Sequence, residues 1–350
     1  MQTAEKQITG LAFTGEDFTP ENVELIIENG IITDIIPARA KAERCILPAF
    51  FNAHVHTGDT AALDTPADRP LKELVAPPDG LKHRILRETP EPVILDGMKN
   101  SVAFMKRSGT LGFADFREGG VRGVELLEAA KDQEMETVIL GRDGGELHPA
   151  AAGLGLSSAH GTAEEARAAA VVRGAGRLLF VHAGEGKTTD IDAAFDLHPD
   201  VIIHGTNFRD RDIRRAADEG TAVAVCPRSN WTLHVASSGS NPPVKKLLEA
   251  EVPLLLGTDN VMFVPPDMFA ECAFLINVYD VTPEDALRAA TAGFSFAGER
   301  TGIAVGCPAN LTVLDGMGLF EWSRHPLRTA LTRAGAAAVT EVISSKKPVI

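Results

Sequence analysis

The rhythm of apolar and polar positions changes near residue 46. Before it, KQITGLAF and VELIIENGIITDIIP carry alternating or β-branched apolar residues and read as short strands. The ENG within the second run marks a hairpin turn. From residue 46 onward, short apolar runs alternate with Ala/Leu/Glu-rich stretches of helical character. Eight candidate strands follow in order: CILPAFFNAHVH, GTLGFADF, TVILGR, AAGLGLS, RLLFVHAG, DVIIHG, AVAVCP and VPLLLGTD. Between most of them lie amphipathic segments such as VRGVELLEAAKDQ, TAEEARAAAVVRG, RDIRRAADEG and PPVKKLLEAE. Continuous apolar strands separated by such helices predict a parallel sheet covered on both faces. Eight such units predict an α/β fold, a closed (β/α)8 TIM-like barrel. AAGLGLS fits this scheme least well, because its glycines disfavour a strand.

Beyond residue 280, VTPEDALRAATAGFSFAG predicts a helix with Thr282 as N-cap and Pro283 at its first position. NLTVLDG and AVTEVISS then read as strands that could pair with those at the N-terminus. The chain is thus expected to carry a small β-sandwich domain built from both termini (residues 1–48 and 301–350) beside a barrel of residues 49–300. The spacer from Thr57 to Ser108 is the longest insertion, and its Pro-rich part, DTPADRPLKELVAPPDG, predicts a loop over a pocket.

At 350 residues with 44% hydrophobic and 23% charged positions, the composition is that of a soluble globular protein. The formal net charge of −14 argues against a nucleic-acid polymer or an anionic membrane as partner, but leaves a small ligand open. The cysteines, Cys45, Cys226, Cys272 and Cys307, are widely spaced and suit a reducing cytoplasm. MQTAEKQITG has neither a basic nor an apolar signal region, and no apolar run is long enough to span a bilayer. A cytoplasmic location is therefore expected, and a homodimer is compatible with it.

In a (β/α)8 barrel, chemistry sits at the C-terminal ends of the strands. The first strand ends in His54 and His56, which point to the same face of an extended chain. RLLFVHAGE ends in His182, with Glu185 three residues on; DVIIHG ends in His204, and VPLLLGTDN in Asp259. Each alone has an ordinary explanation: a core histidine held by a hydrogen bond, or an aspartate capping a turn. Four histidines, a glutamate and an aspartate together at strand ends point to a metal site with acid–base groups beside it.

The order HxH, HxxE, His, TD resembles the amidohydrolase superfamily, and most of all its branch of cytosine, guanine and adenosine-type deaminases and triazine hydrolases. PAFFNAHVH, SGTLGFADF, CPRSN and LLLGTDN resemble that branch's first, second, seventh and eighth strands. EDALRAATAGFSFAGERTGIAVGCPANLTVLDG is similar to its closing helix and return strand. The resemblance implies that His54, His56, His182 and Asp259 bind one divalent metal, zinc or iron, with water in an open position. It implies further that Asp259 takes the proton from that water, that Glu185 shuttles protons to a ring nitrogen and to departing ammonia, and that His204 polarises the attacking or developing oxygen. The implied reaction is release of ammonia from a purine-, pyrimidine-, pterin- or triazine-like ring. The alternatives are hydrolysis of a cyclic amide, an imidazolone or a carbon–chlorine bond by the same site, or a non-catalytic barrel that only binds a small molecule. Some relatives bridge two metals with a lysine at the fourth strand; no lysine lies between Lys131 and Lys187 here, although Glu146 could bridge instead. The chain also lacks the arginine that some adenosine-type deaminases carry soon after HxH, and it is short for the group.

Further candidates are less defined. Arg228 and Asn230 could contact substrate, or the Ser-Asn pair could lock a turn. Trp231 could wall an aromatic ring or simply pack, and Glu146 and His148 could read the substrate. Arg117 and Glu118 could reach the pocket, but a solvated loop salt bridge is the expected account, and Cys226 is expected as a small packing residue. His83, His160, His198, His234 and His325 fall outside strand ends and receive no role.

Overall fold

The computed structural model describes residues 5–39, 43–316 and 318–346. Its strands are β1 Glu5–Thr14, β2 Thr19–Glu28, β3 Ile31–Pro37, β4 Arg44–Pro48, β5 Phe50–His56, β6 Thr110–Arg117, β7 Glu136–Gly141, β8 Gly153–Leu156, β9 Leu178–Ala183, β10 Val201–His204, β11 Ala222–Val225, β12 Leu254–Leu256, β13 Asp259–Asn260, β14 Leu311–Asp315 and β15 Val339–Ile343.

Strands from both chain ends form one six-stranded sheet in the order β15-β14-β4-β1-β2-β3. Asn29 and Gly30, at φ 51° and 78°, turn β2 into β3, which is the left-handed pair the ENG run predicts. Alternating residues such as Val23, Leu25 and Ile27 on β2 meet Ile303, Leu311 and Val313 in an apolar cluster of their own.

The second sheet runs β12-β11-β10-β9-β8-β7-β6-β5-β13, and its pairs are parallel. The chain passes from β12 to β13 through Gly257 and Thr258, and Asp259 and Asn260 pair with Val55 and His56. The last strand therefore meets the first, and the barrel closes. Gly257 is needed at this seam: a Cβ there would lie 2.8 Å from the His54 backbone nitrogen. The glycines of β8 have a similar explanation, since a Cβ at Gly155 would meet the Phe116 ring at 2.7 Å. Close approach, not β propensity, decides that strand.

CILPAFFNAHVH is two strands, not one. Pro48 ends β4, and Ala49, whose N–H goes to Asn310 O, separates it from β5. The 57–108 insertion is also more ordered than a loop. It carries helices Leu71–Val75, Leu81–Glu88 and Glu91–Arg107, the last burying Ile94, Met98, Val102 and Met105 along one face. Thr282 caps the helix Pro283–Thr291 through Asp285 N, as its sequence predicts. No helix among the described residues is long and apolar enough to cross a membrane.

Candidate active site

The C-terminal ends of β5, β9 and β10 and the first residue of β13 deliver His54 and His56, His182, His204, and Asp259 to one place. His204 and Asp259 sit at φ 74° and 62°, a left-handed backbone that costs a non-glycine residue energy. The surrounding register over-determines both positions: His204 pairs with Ala183, and Asp259 with Val55. Asn52 ties the seam from beneath, donating Nδ2 to Thr258 Oγ1 at 2.7 Å and accepting Thr258 N at 3.0 Å.

One donor atom each from His54, His56, His182 and Asp259 lies within 4.8 Å of all the others. His54 Nε2 is 3.1 Å from Asp259 Oδ1, and His56 Nε2 is 3.5 Å from the same oxygen. His182 Nδ1 lies 2.9 Å from Leu156 O, a pure acceptor, so it carries the proton and Nε2 bears the lone pair. That Nε2 is 3.1 Å from His54 Nε2. At this distance a neutral N–H···N hydrogen bond from His54 Nε2 suffices, and a further proton would have to make an imidazolium. Burial disfavours a proton there: it lowers the pKa of His54, and with the neighbouring histidines it holds His182 well below the usual range. His56 is pushed down to about 3 by burial and by Lys82. Neutral imidazoles with a carboxylate are the donor set of a divalent metal, and the residues fit one. Burial opposes the Asp259 charge, but the hydrogen bond from His54 and the nearby histidines outweigh it and keep the carboxyl far below its ordinary pKa. Ser229 Oγ donates to its second oxygen, Oδ2, at 2.6 Å.

Glu185 and His204 form a second group with Asp259. His204 Nε2 is 3.6 Å from Glu185 Oε1, and burial raises the Glu185 pKa. All three line a cavity of about 550 Å³ together with His56 and His182. Leu71, Val75 and Pro77 of the Pro-rich segment roof it, as that segment's composition suggests.

Arg117 and Glu118 are not a solvated loop pair. They are 2% and 8% exposed, because β6 runs on to Arg117 and keeps pairing with β7. Glu118 Oε1 lies 3.0 Å from His56 Nδ1, 2.8 Å from Lys82 Nζ and 2.5 Å from Arg142 Nη2, while Oε2 accepts from Arg117 at 2.8 Å. Asp59 Oδ2 is 2.8 Å from the same Lys82. Burial works against the Lys82 ammonium, but Asp59 and Glu118 raise its pKa on balance. Sequence reading missed Lys82, Asp59, Arg142 and Ser229. Arg142 could have been found, since it directly follows a barrel strand; nothing in LKHRILRE distinguishes Lys82.

The five residues proposed to touch substrate do not line this cavity. Arg228 is held by Glu271 Oε1 at 2.8 Å and Pro265 O at 2.7 Å. Asn230 donates to Thr206 Oγ1 and locks the loop after β11. Trp231 bonds Tyr279 OH and packs on Phe274. Glu146 accepts Gly144 N and His148 accepts Ala150 N, both within the turn after β7. Conversely, His83 and His160, given no role, do line the cavity.

A closed parallel barrel with histidines and carboxylates gathered at its C-terminal mouth is the architecture of the barrel hydrolases. The chain belongs to the amidohydrolase family, whose model matches residues 45–349. A Methanothermobacter thermautotrophicus protein described as "Putative aminohydrolase" is 35% identical over 87% of this chain and 90% of its own. An adenine deaminase of Sinorhizobium medicae is 33% identical over 44% of this chain and 54% of its own. The fold matches that of a zinc-bound adenosine deaminase from Xanthomonas campestris, with a TM-score of 0.79 at 20% identity over 98% of this chain and 92% of that one. The chain is a hydrolase of carbon–nitrogen bonds other than peptide bonds, in a family that typically binds a metal. These relatives support hydrolytic deamination as the general reaction.

Proposed function

We propose that the protein is a metal-dependent aminohydrolase of a planar N-heterocycle of purine, pyrimidine, pterin or triazine type. It would replace a ring amino group with oxygen and release ammonia. The observation that carries this reading is the meeting of two groups on Asp259: the His54/His56/His182 donors on one side, Glu185 and His204 on the other. His54, His56, His182 and Asp259 would hold one zinc or iron ion, which when bound supplies Lewis acidity that brings a water's pKa toward neutrality. Asp259 Oδ accepts the proton of the attacking water as its oxygen bonds to the amino-bearing carbon. Glu185, whose buried carboxyl holds a proton more tightly than usual, gives that proton to the adjacent ring nitrogen. The hydroxyl of the intermediate then gives its proton to the Glu185 carboxylate, which passes it to the amino group. The carbon–nitrogen bond breaks as that oxygen becomes the carbonyl, ammonia leaves, and the proton held by Asp259 returns to Glu185. His204 Nε2, beside Glu185, orients the incoming oxygen.

The test is ammonia release from a panel of amino-heterocycles, on protein of measured metal content. Release that scales with bound metal supports the reading. Fully metal-loaded protein that hydrolyses a cyclic amide but none of the amino-heterocycles sinks it.

A further inference from the structure

Lys82 and Arg142 line the cavity but have no part in the reaction proposed above. Lys82 Nζ lies 2.8 Å from Glu118 Oε1 and Arg142 Nη2 donates to the same oxygen at 2.5 Å, so the two cationic heads are close neighbours. Their carboxylate partners, Asp59 and Glu118, lie behind them and do not line the cavity. At Lys82 and Arg142 the cavity is therefore lined by the donor side of the ion pairs. Lys82 Nζ lies 2.8 Å from a carboxylate oxygen of each of Asp59 and Glu118. Arg142 is 9% exposed, and its Nη1 is buried without an acceptor. A buried guanidinium nitrogen left unmatched calls for a partner. Lys72 and Lys187 also line the cavity, although the chain as a whole carries a net charge of −14. The lining also holds Glu185, Asp190 and Asp259, and Lys187 pairs with Asp190, so the cationic side of the cavity is the one formed by Lys82 and Arg142.

The geometry points to Arg142 and Lys82 as the anchor for an anionic oxygen group, a carboxylate or a phosphate, carried by the heterocycle whose amino group faces Glu185 and Asp259. This rests on the deaminase reading. Two neighbouring donor heads match an acceptor with two oxygens. A cavity of about 550 Å³ accommodates a ring together with such a substituent.

Binding is measured by isothermal titration calorimetry on the zinc-loaded full chain, using two neutral/anionic pairs of oxo-heterocycles. Uracil against orotate probes a carboxylate, and inosine against inosine 5′-monophosphate probes a phosphate. The anionic member of at least one pair should bind about ten-fold or more tightly than its neutral partner, as charge-assisted hydrogen bonds imply. Arg142→Met should bring that ratio close to one, and Arg142→Lys should restore part of it. Equal affinities within both pairs, or a preference that survives Arg142→Met, overturn the proposal. Ammonia release is read separately on amino-heterocycles. An Arg142-dependent anion preference without ammonia release would refute the deaminase reading and leave the anchor standing; ammonia release without the preference does the reverse.

Discussion

Glu118→Gln tests the buried charge network behind the site. Glu118 Oε1 faces His56 Nδ1, Lys82 and Arg142, and Oε2 faces Arg117. An amide of the same size has one oxygen and one NH2 group. Placed either way, its NH2 meets a cation: Arg117 in one orientation, Lys82 and Arg142 in the other. The substitution also removes a charge whose pKa is held far below the ordinary glutamate value, burial being outweighed by Lys82, His56 and Arg142. Breaking a buried ion pair at one partner costs about 3–5 kcal/mol. For a chain of this size that is a melting-point drop of roughly 4–7 °C. The His56 ring would in addition lose the carboxylate charge 3.0 Å from its Nδ1, and loss of such a support lowers metal affinity about 10–100-fold. The assay pairs thermal unfolding of metal-free protein with zinc competition against a chromophoric chelator. A variant that melts within a degree or two of the parent and holds zinc equally well would refute the reasoning.

Elemental analysis should find close to one equivalent of metal per chain, and His182→Ala should lose most of it; two equivalents in active protein contradict a single-metal site. Glu185→Gln should keep its metal and fold while turnover falls at least ~10²-fold. Asp259→Asn should lose both metal and turnover, so equal behaviour of the two variants would undo the separation of roles. Burial pushes the Glu271 carboxyl up from 4.5 to about 7 against the pull of Arg228. The folded state then binds this proton more tightly than the unfolded chain, so stability falls as pH rises from 4.5 to about 7. Glu271→Gln should remove that slope, its stability relative to the parent rising toward neutrality by on the order of 3 kcal/mol. Denaturant curves of parent and variant that stay parallel across this range would show the shift to be absent.

The strand ends were legible because barrel topology turns sequence position into spatial position. His54, His56, His182, His204 and Asp259 each follow an apolar run, and every such run ends at the same mouth. The ENG hairpin and the Thr282 cap were legible because both are local. Their conformations depend on a few neighbouring residues, so no knowledge of the rest of the fold was needed.

What the tertiary structure alone decided is where the charged and polar side chains of loops and helices end up. Arg117 and Glu118 read as a solvent-facing pair, yet β7 and the 57–108 insertion bury them against Lys82 and Arg142. Arg228, Asn230 and Trp231 follow a barrel strand as His204 does, but longer-range partners (Glu271, Thr206 and Tyr279) draw them away from the cavity. The glycines of β8 argue against a strand until the Phe116 ring beside Gly155 explains them. Periodicity encodes which face of an element is buried, and so the sequence carries the barrel and its metal-binding ends. A charged side chain takes its role from partners far away along the chain, and only the folded protein brings those together.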